Sequence, residues 1–506
     1  MRVLHSSRSL AVLGLAALIG CGSHEPNGPD PNALSLTNTV VTVSRALLFA
    51  GDTITVTLQA RNGAGQPFTD AGLTVTFSTE GGTSVGTFLP VVDHHTGTFT
   101  APFVASSMGT AVTVTAQIDG AAVTSTAPTL RVVGFTRVSV SGATMTGAQT
   151  TTGGHSCGII TTGDMYCWGL TAFGIRGNGT VGDMAPAPDP TLVSGSHQWI
   201  EVSSGMYFLC AVAVDNTAYC WGDADVGQLG NGVSGGGSLS DVRIPAPVSG
   251  AAKFRGVTAG FALSTCGTTV SGAAMCWGSG AWGRVGNGGD TLVAVPTGVS
   301  GGLTFDALST GDGGTCGIAA THAYCWGYNT LLGDSGAVHD SCNGGTACAK
   351  TPVLVSGGHS YRAVMALDGN VTCAVATDDK TYCWGSGYLG DGTSEIAWGP
   401  RLVSGGLTFT ALAGGDGFHC GIASGGAAYC WGANKNGRLG NNLAEALVPT
   451  AVTGDHAFTQ LSLGQDHACG VATDGNAYCW GGNDKGELGD RTVTPSATPV
   501  RVRLFN

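Results

Sequence analysis

From about Ala33 to Val133 apolar and polar residues alternate strictly, as in Thr53-Ile-Thr-Val-Thr-Leu-Gln-Ala60 and Ala111-Val-Thr-Val-Thr-Ala-Gln-Ile118. A period of two puts every apolar side chain on one face, so these segments predict strands with one buried side. Turn clusters such as Asn62-Gly-Ala-Gly-Gln-Pro67 separate them, and about 100 residues suit one β-sandwich, residues 34–133. No cysteine falls inside this stretch, so its core must hold by packing alone. Residues 21–33 carry Pro26, Pro29 and Pro31 among polar residues and read as an extended tether.

Past Val133 the pattern becomes short strands punctuated by a tetrapeptide. Tyr-Cys-Trp-Gly stands at 166–169, 219–222, 324–327, 382–385, 429–432 and 478–481, and Met-Cys-Trp-Gly at 275–278. Its cysteines lie 47 to 58 residues apart. A repeat of that length, rich in strand formers, is one supersecondary unit that cannot bury its apolar face alone. Seven such units must stack on one another.

Six of these cysteines have a partner ten residues upstream: Cys157–Cys167, Cys210–Cys220, Cys266–Cys276, Cys373–Cys383, Cys420–Cys430 and Cys469–Cys479. Cys316 precedes Cys325 by nine. A three-residue loop such as Thr473-Asp474-Gly475, with Gly475 at positive φ, sets the two cysteines opposite each other on a hairpin, within disulfide reach. The nine-residue copy fits a two-residue loop, Ala320-Thr321, with the same result. Metal ligation favours closer cysteines with histidine nearby, so structural disulfides are the better reading. Each closes about eleven residues and contributes roughly 2–3 kcal/mol in the chain-entropy account.

After each tryptophan comes Gly-x-Leu-Gly-Asn/Asp or a close variant, for example Gly227-Gln-Leu-Gly-Asn231 and Gly486-Glu-Leu-Gly-Asp490. Glycines flanking one apolar residue predict a tight turn that pins that side chain inward. A Pro-led strand follows: Pro190, Pro352, Pro400, Pro449 and Pro499 open the segments, because proline at a strand's first residue loses no ladder bond. The first hairpin has no Pro-led strand before it and the last Pro-led strand has no hairpin after it, so the C-terminal strand is expected to complete the first blade and lock the ring.

These compound motifs resemble the repeats of the regulator of chromosome condensation family, in the secreted bacterial variety with paired cysteines, over residues 134–506. The resemblance implies a seven-bladed β-propeller of four-stranded blades. Gly51-Asp-Thr-Ile-Thr-Val, Val75-Thr-Phe-Ser and Gly97-Thr-Phe-Thr-Ala resemble bacterial immunoglobulin-like modules of the invasin and intimin type, which act mainly as stalks. The expected fold is all-β: a seven-bladed β-propeller preceded by one immunoglobulin-like β-sandwich.

The N-terminus adds an address. Arg2 and Arg8 precede an apolar run, residues 10–19, too short to span a bilayer and typical of a secretory signal, 1–20. Leu18-Ile-Gly-Cys21 looks like a bacterial lipobox, which implies cleavage before Cys21 and its acylation. Of 17 cysteines, removing Cys21 leaves 16, all paired by spacing once Cys342 is joined to Cys348. That even remainder indicates an oxidising compartment, and Gly22 rather than Asp after Cys21 resembles known sorting signals for the outer membrane of a Gram-negative cell, which implies an outer-membrane or surface location.

Candidate chemistry is sparse. His155, His419 and His467 sit just before the first cysteine of three blades, whereas other blades place Phe208, Ser264, Gly314 and Val371 there, so no ligand ring forms. Asp334, Asp391 and Asp490 close Gly-x-Leu-Gly turns as caps. The insertion from Tyr328 to Lys350, with Asp340 and the Cys342–Cys348 loop, lacks a calcium-loop pattern. No hydrolase elbow, phosphate loop, dinucleotide fingerprint or zincin helix occurs, and no cofactor is expected. The repeat tryptophans and Trp199 read as core, while Trp282 and Trp398 lie in loops as candidate contact aromatics. With 21 basic against 33 acidic residues the net charge is −12, the wrong sign for nucleic acid. The leading expectation is a lipid-anchored surface or periplasmic display protein, not an enzyme, whose propeller contacts a protein or glycan. Alternatives are an inhibitor of an extracellular enzyme, as in one secreted relative, and a propeller lyase or hydrolase. The nucleotide-exchange insertion of the founding nuclear members has no counterpart, so that activity is not carried over.

Overall fold

The structure, a computed structural model, describes residues 30–504 apart from 71, 145–151, 181, 183–184, 236–240, 337–338, 343–344 and 367–370. The signal, Cys21 and most of the tether lie outside the described residues.

The alternating segments form two facing sheets. One pairs Val40–Val43, Thr53–Gln59, Thr98–Ser107 and Val85–Phe88; the other pairs Leu47–Leu48, Thr129–Val132, Val112–Ile118 and Val75–Glu80. Val56, Leu58, Ala101 and Phe103 from the first and Val114, Ala116 and Val132 from the second fill the space between, none more than 2% exposed. The period-two pattern thus lands as expected, apolar inward and threonine outward.

From Phe135 onward seven sheets follow, each built from consecutive strands A to D. In blade 1 these are Phe135–Thr144, Thr152–Ile160, Met165–Gly169 and Thr191–Leu192; in blade 7, Phe458–Leu463, His467–Ala472, Ala477–Gly481 and Ser496–Arg501. Strand A opens with an aromatic in every blade but the fourth, Trp199 of blade 2 among them at 4% exposed; in blade 4 Phe305 stands two residues before the strand. Strand B is buried at all six positions in blades 2 to 7. The B–C hairpins carry the disulfides, with Cα atoms 4.0–4.1 Å apart. Five hairpins turn through one left-handed residue, Gly163, Asn216, Gly272, Asp379 or Gly475, and the blade 6 hairpin through two, Gly425 and Gly426. The shorter hairpin turns through Ala320 and Thr321, both at positive φ.

Two expectations are corrected. The C-terminal strand pairs Cys479 with Val500 inside blade 7, and blade 1 is completed by its own strand A, which pairs Cys157 with Ser139. No strand is exchanged, because residues 135–144 already supply the strand that the sequence reading left missing. The prolines also do not open their strands: Pro352, Pro400, Pro449 and Pro499 lie within strand D. Strand D is the outer edge of every blade but the fourth, where Asp340–Cys342 pairs with its start, and at an edge a missing N–H costs no ladder bond and blunts edge-to-edge pairing.

The two recurring signatures prove to be halves of one joint. The indole N–H of each blade's tryptophan donates to the carbonyl of x in the preceding blade's Gly-x-Leu-Gly turn: Trp221 to Ile175 (2.8 Å), Trp277 to Gln228 (2.9 Å), Trp326 to Arg284 (2.9 Å), Trp384 to Leu331 (2.8 Å) and Trp480 to Arg438 (3.0 Å). Trp168 closes the circle on Glu487 at 2.7 Å. The exception is Trp431, whose indole nitrogen has no partner. It faces the shortest turn, five residues from Trp384 to Leu389 where most blades use eight. The turn's second glycine is needed because a Cβ there would meet the indole, at 2.7 Å for Gly286 against Trp326 and Gly489 against Trp168.

Candidate binding face

Chain direction gives the propeller two unlike faces. One carries the B–C hairpins, the starts of strand A and the C-terminus; the other carries the A–B loops and the Gly-x-Leu-Gly turns. The sandwich docks on the hairpin face, through Asp52 to Arg501 (2.8 Å) and Asn476 to the Ala50 carbonyl (3.3 Å).

Strands A line the central channel. Toward the hairpin face it opens into a cavity of about 550 Å³, and toward the loop face it narrows to one of about 130 Å³. At one level Ser139, Ser203, Thr258, Ser309 and Ser462 each accept the N–H of a strand A in the adjacent blade, at 2.9–3.0 Å. These hydroxyls satisfy the inward edges of strands that have no further neighbour. At the wide mouth Arg137 reaches Glu201 at 3.5 Å. Burial pushes the Glu201 carboxyl up, with Arg137 opposing. Arg362 donates to the Phe409 carbonyl at 2.8 Å and to Asp379 at 3.1 Å. Arg137 and Glu201 thus pair across blades 1 and 2, while Arg362 bonds both its own blade and the next. Among the described residues, no three His, Cys, Asp or Glu converge as a metal-holding group.

The loop face has a different chemistry, supplied by x of the Gly-x-Leu-Gly turns. Arg284 donates to the Asp312 carbonyl at 2.9 Å and lies 4.2 Å from the Trp282 ring, which packs on Tyr328 at 5.4 Å. Burial lowers Arg284 to about 10, and burial raises Asp312 against the pull of Arg284. Arg438 donates to the Ala433 and Gln465 carbonyls, and Gln465 donates to Asp416 at 3.2 Å. Phe173 packs on Tyr207 at 4.9 Å. Burial, then Asp223 and Asp225, push Asp241 up to about 6. Phe173 and Trp282 both hold left-handed φ, 56° and 58°, a conformation that disfavours aromatic residues. The arrangement offers half-buried rings beside fixed charges.

Of the aromatics singled out in the sequence, Trp282 is half-buried on this face. Trp398 is 42% exposed on strand D of blade 5, where its carbonyl accepts the Ser335 N–H, so the two do not form one patch. Cys342 and Cys348 are bonded in the insertion, which adds a fifth strand, Asp340–Cys342, to blade 4. There His339 and Asp334 form a close pair, and Asp340 accepts the Lys350 N–H at 3.3 Å. The Asn or Asp closing each turn accepts the N–H two residues on in all seven blades. His155 and His467 pair with the glycines of their Trp-Gly motifs, whereas His419 pairs with Trp431, one residue out of step. All three are buried and lowered to about 3 by burial. Sequence reading missed Arg284 and Arg438. Their signal was available, since x is the position of the turn that changes most from blade to blade: Ile175, Gln228, Arg284, Leu331, Tyr388, Arg438 and Glu487.

Comparison with known proteins bears on both parts. The family profile "Invasin, domain 3" matches residues 36–136. The profile "Regulator of chromosome condensation (RCC1) repeat" matches residues 425–471 and 458–487. Human E3 ubiquitin-protein ligase HERC2 is 26% identical over 265 residues, 50% of this chain, and the chain spans only 5% of that protein's length. Among solved structures, yeast RCC1 (Prp20) bound to Kap60 aligns with TM-score 0.58 and 18% identity, covering 67% of this chain and 83% of that one. Human WBSCR16 gives 0.55 and 18%, covering 67% and 93%. Residues 36–136 therefore match an invasin domain 3, residues 425–487 match RCC1 repeats, and the ring as a whole shares the fold of the RCC1 propellers. No described helix is long and apolar enough to cross a membrane.

Proposed function

We propose that this invasin-domain and RCC1-repeat chain is an exported display protein, anchored to a membrane through Cys21, whose propeller offers its loop face to a protein or glycan. The observation that carries the reading is the path of the chain through the sandwich. The strand Thr53–Gln59 starts beside the propeller, where Asp52 meets Arg501, and runs to the opposite pole. At that far pole the first described residues attach: Ser35 donates to the Arg61 carbonyl at 2.8 Å, and Gly63 donates to the Ala33 carbonyl at 3.0 Å. A tether leaving there holds the hairpin face toward its anchor and the loop face away from it. Disulfides in every blade favour an oxidising compartment, and the binding of Kap60 by yeast RCC1 favours a protein partner.

Mass spectrometry of membrane fractions from cells making the full chain tests this. The expected species has an acylated N-terminal Cys21 and eight intact disulfides, and Cys21→Ser moves the protein to a soluble exported fraction. A cytosolic protein with free thiols overturns the reading.

A further inference from the structure

Seven blades make seven junctions, and the chain itself crosses only six of them. At the seventh, between blades 7 and 1, no strand is shared, because each of these blades is completed by its own strands. Within the ring this seam is held by the backbone bonds of Phe135 N–H to the Gly475 carbonyl (2.8 Å) and Ala187 N–H to the Lys485 carbonyl (2.9 Å), and by side chains: Gln460 bonds both ways to the Val138 backbone at 2.8 and 2.9 Å, and Glu487 accepts the Gly154 N–H at 2.8 Å.

The sandwich stands across this same seam. Phe49 stacks on Phe135 of blade 1, with centroids 5.1 Å apart. The Asp52 carboxylate takes Arg501 of blade 7 on one oxygen, at 2.8 Å, and Arg45 and the Phe49 N–H on the other, at 2.5 and 3.0 Å. Arg501 in turn donates to Asn476 at 2.7 Å, and Asn476 reaches the Ala50 carbonyl. One apolar cluster unites all three bodies: Phe49 and Val133 from the sandwich side, Phe135 and Trp168 from blade 1, and Val471 and Leu504 from blade 7. A ring pair on blade 1 and a charge-assisted bridge to blade 7 thus place the sandwich on both sides of the one junction that no covalent chain crosses.

We propose that the sandwich is the clasp of the propeller, doing at the 7–1 seam what a shared strand does in a ring closed by strand exchange. It is then part of the ring's closure and not a detachable spacer, whatever the loop face binds. Loss of its grip opens the seam first, because the other six junctions keep their chain crossings.

Hydrogen exchange read by mass spectrometry on the full chain tests this, comparing the natural protein with Asp52→Asn, Arg501→Gln and the double variant. Removing one partner of a partly buried charged hydrogen bond should speed local opening roughly 10- to 100-fold. The expected increase falls on the seam strands Thr152–Ile160 and His467–Ala472, while Ser264–Thr269 and Val371–Ala376 keep their rates. The double variant should open the seam no more than either single one. Phe49→Leu, a milder change that keeps the core filled, should give the same map at smaller amplitude. An increase confined to the sandwich strand Thr53–Gln59, or spread equally over all blades, overturns the proposal.

Discussion

Gly286→Ala probes the joint between blades directly. Gly286 sits at φ 71°, and a Cβ built on it lies 2.7 Å from the Trp326 indole nitrogen. Two costs combine. Left-handed backbone disfavours alanine by about 1 kcal/mol. Displacing the ring strains a fully buried tryptophan and breaks its bond to the Arg284 carbonyl, a further ~2–4 kcal/mol from overpacking and an unsatisfied buried pair. Gly288→Ala is the internal control: its φ is 90°, but nothing lies within 4 Å of the added carbon, so it incurs only the backbone cost. Urea unfolding, followed by tryptophan fluorescence with the disulfides intact, should place Gly286→Ala at least 2 kcal/mol below Gly288→Ala. Equal losses would refute the interlocking of turn and tryptophan and reduce the glycine to a simple turn residue.

Further expectations concern the joint's exception, the hairpin turns and the buried histidines. Trp384→Phe removes the donor to the Leu331 carbonyl, whereas Trp431→Phe removes none, so thermal unfolding should show the former costing about 1 kcal/mol more. Thr321→Gly relieves a β-branched residue at φ 68° and should gain about 1 kcal/mol, while Asp379→Gly, replacing a residue that tolerates φ 66°, should change denaturant midpoints little. His155, His419 and His467 resist protonation until about pH 3 when folded, whereas unfolded histidine takes its proton near 6.5. Their depressed values therefore give stability that is complete above about pH 6.5 and declines as pH falls toward 3, by up to ~1.4 kcal/mol per pH unit each. Burial raises Glu487, which has the opposite sign and offsets part of the loss at the acid end. Denaturant midpoints at pH 7.5 and 5 should show the decline, and His419→Phe should reduce its slope by about a third; an unchanged slope would count against these histidines as its source.

The parts of this molecule that sequence made legible are those whose cause is local. Alternation in 53–60 and 111–118 encodes buried faces because strand geometry has a period of two. The ten-residue cysteine spacing encodes a disulfide because a hairpin's register follows from its loop length. Asp334, Asp391 and Asp490 could be read as turn caps because their bond partner lies two residues away. What stayed hidden depends on which units become neighbours. Nothing within Gly486-Glu-Leu-Gly says that its carbonyl receives Trp168 from 319 residues away, and the sequence alone read that glycine as an isolated turn former.

Ring closure failed for a related reason. Strand A of blade 1 carries neither cysteine nor Trp-Gly, so a motif-based reading saw a blade short of strands and supplied one from the far end. Its physical signal was Phe135-Thr-Arg-Val, an aromatic followed three residues later by an aliphatic, as in Phe254-Arg-Gly-Val and Tyr361-Arg-Ala-Val. That aromatic is what packs edge-on to the blade's own tryptophan, Phe135 on Trp168 at 6.4 Å and Phe254 on Trp277 at 5.9 Å. The strand is therefore recognisable by what it must touch and not by the repeat's most visible letters. Because Phe135 follows the sandwich at once, the residue that completes blade 1 is also the one on which Phe49 stacks, and this ties the fold of the first blade to the domain before it.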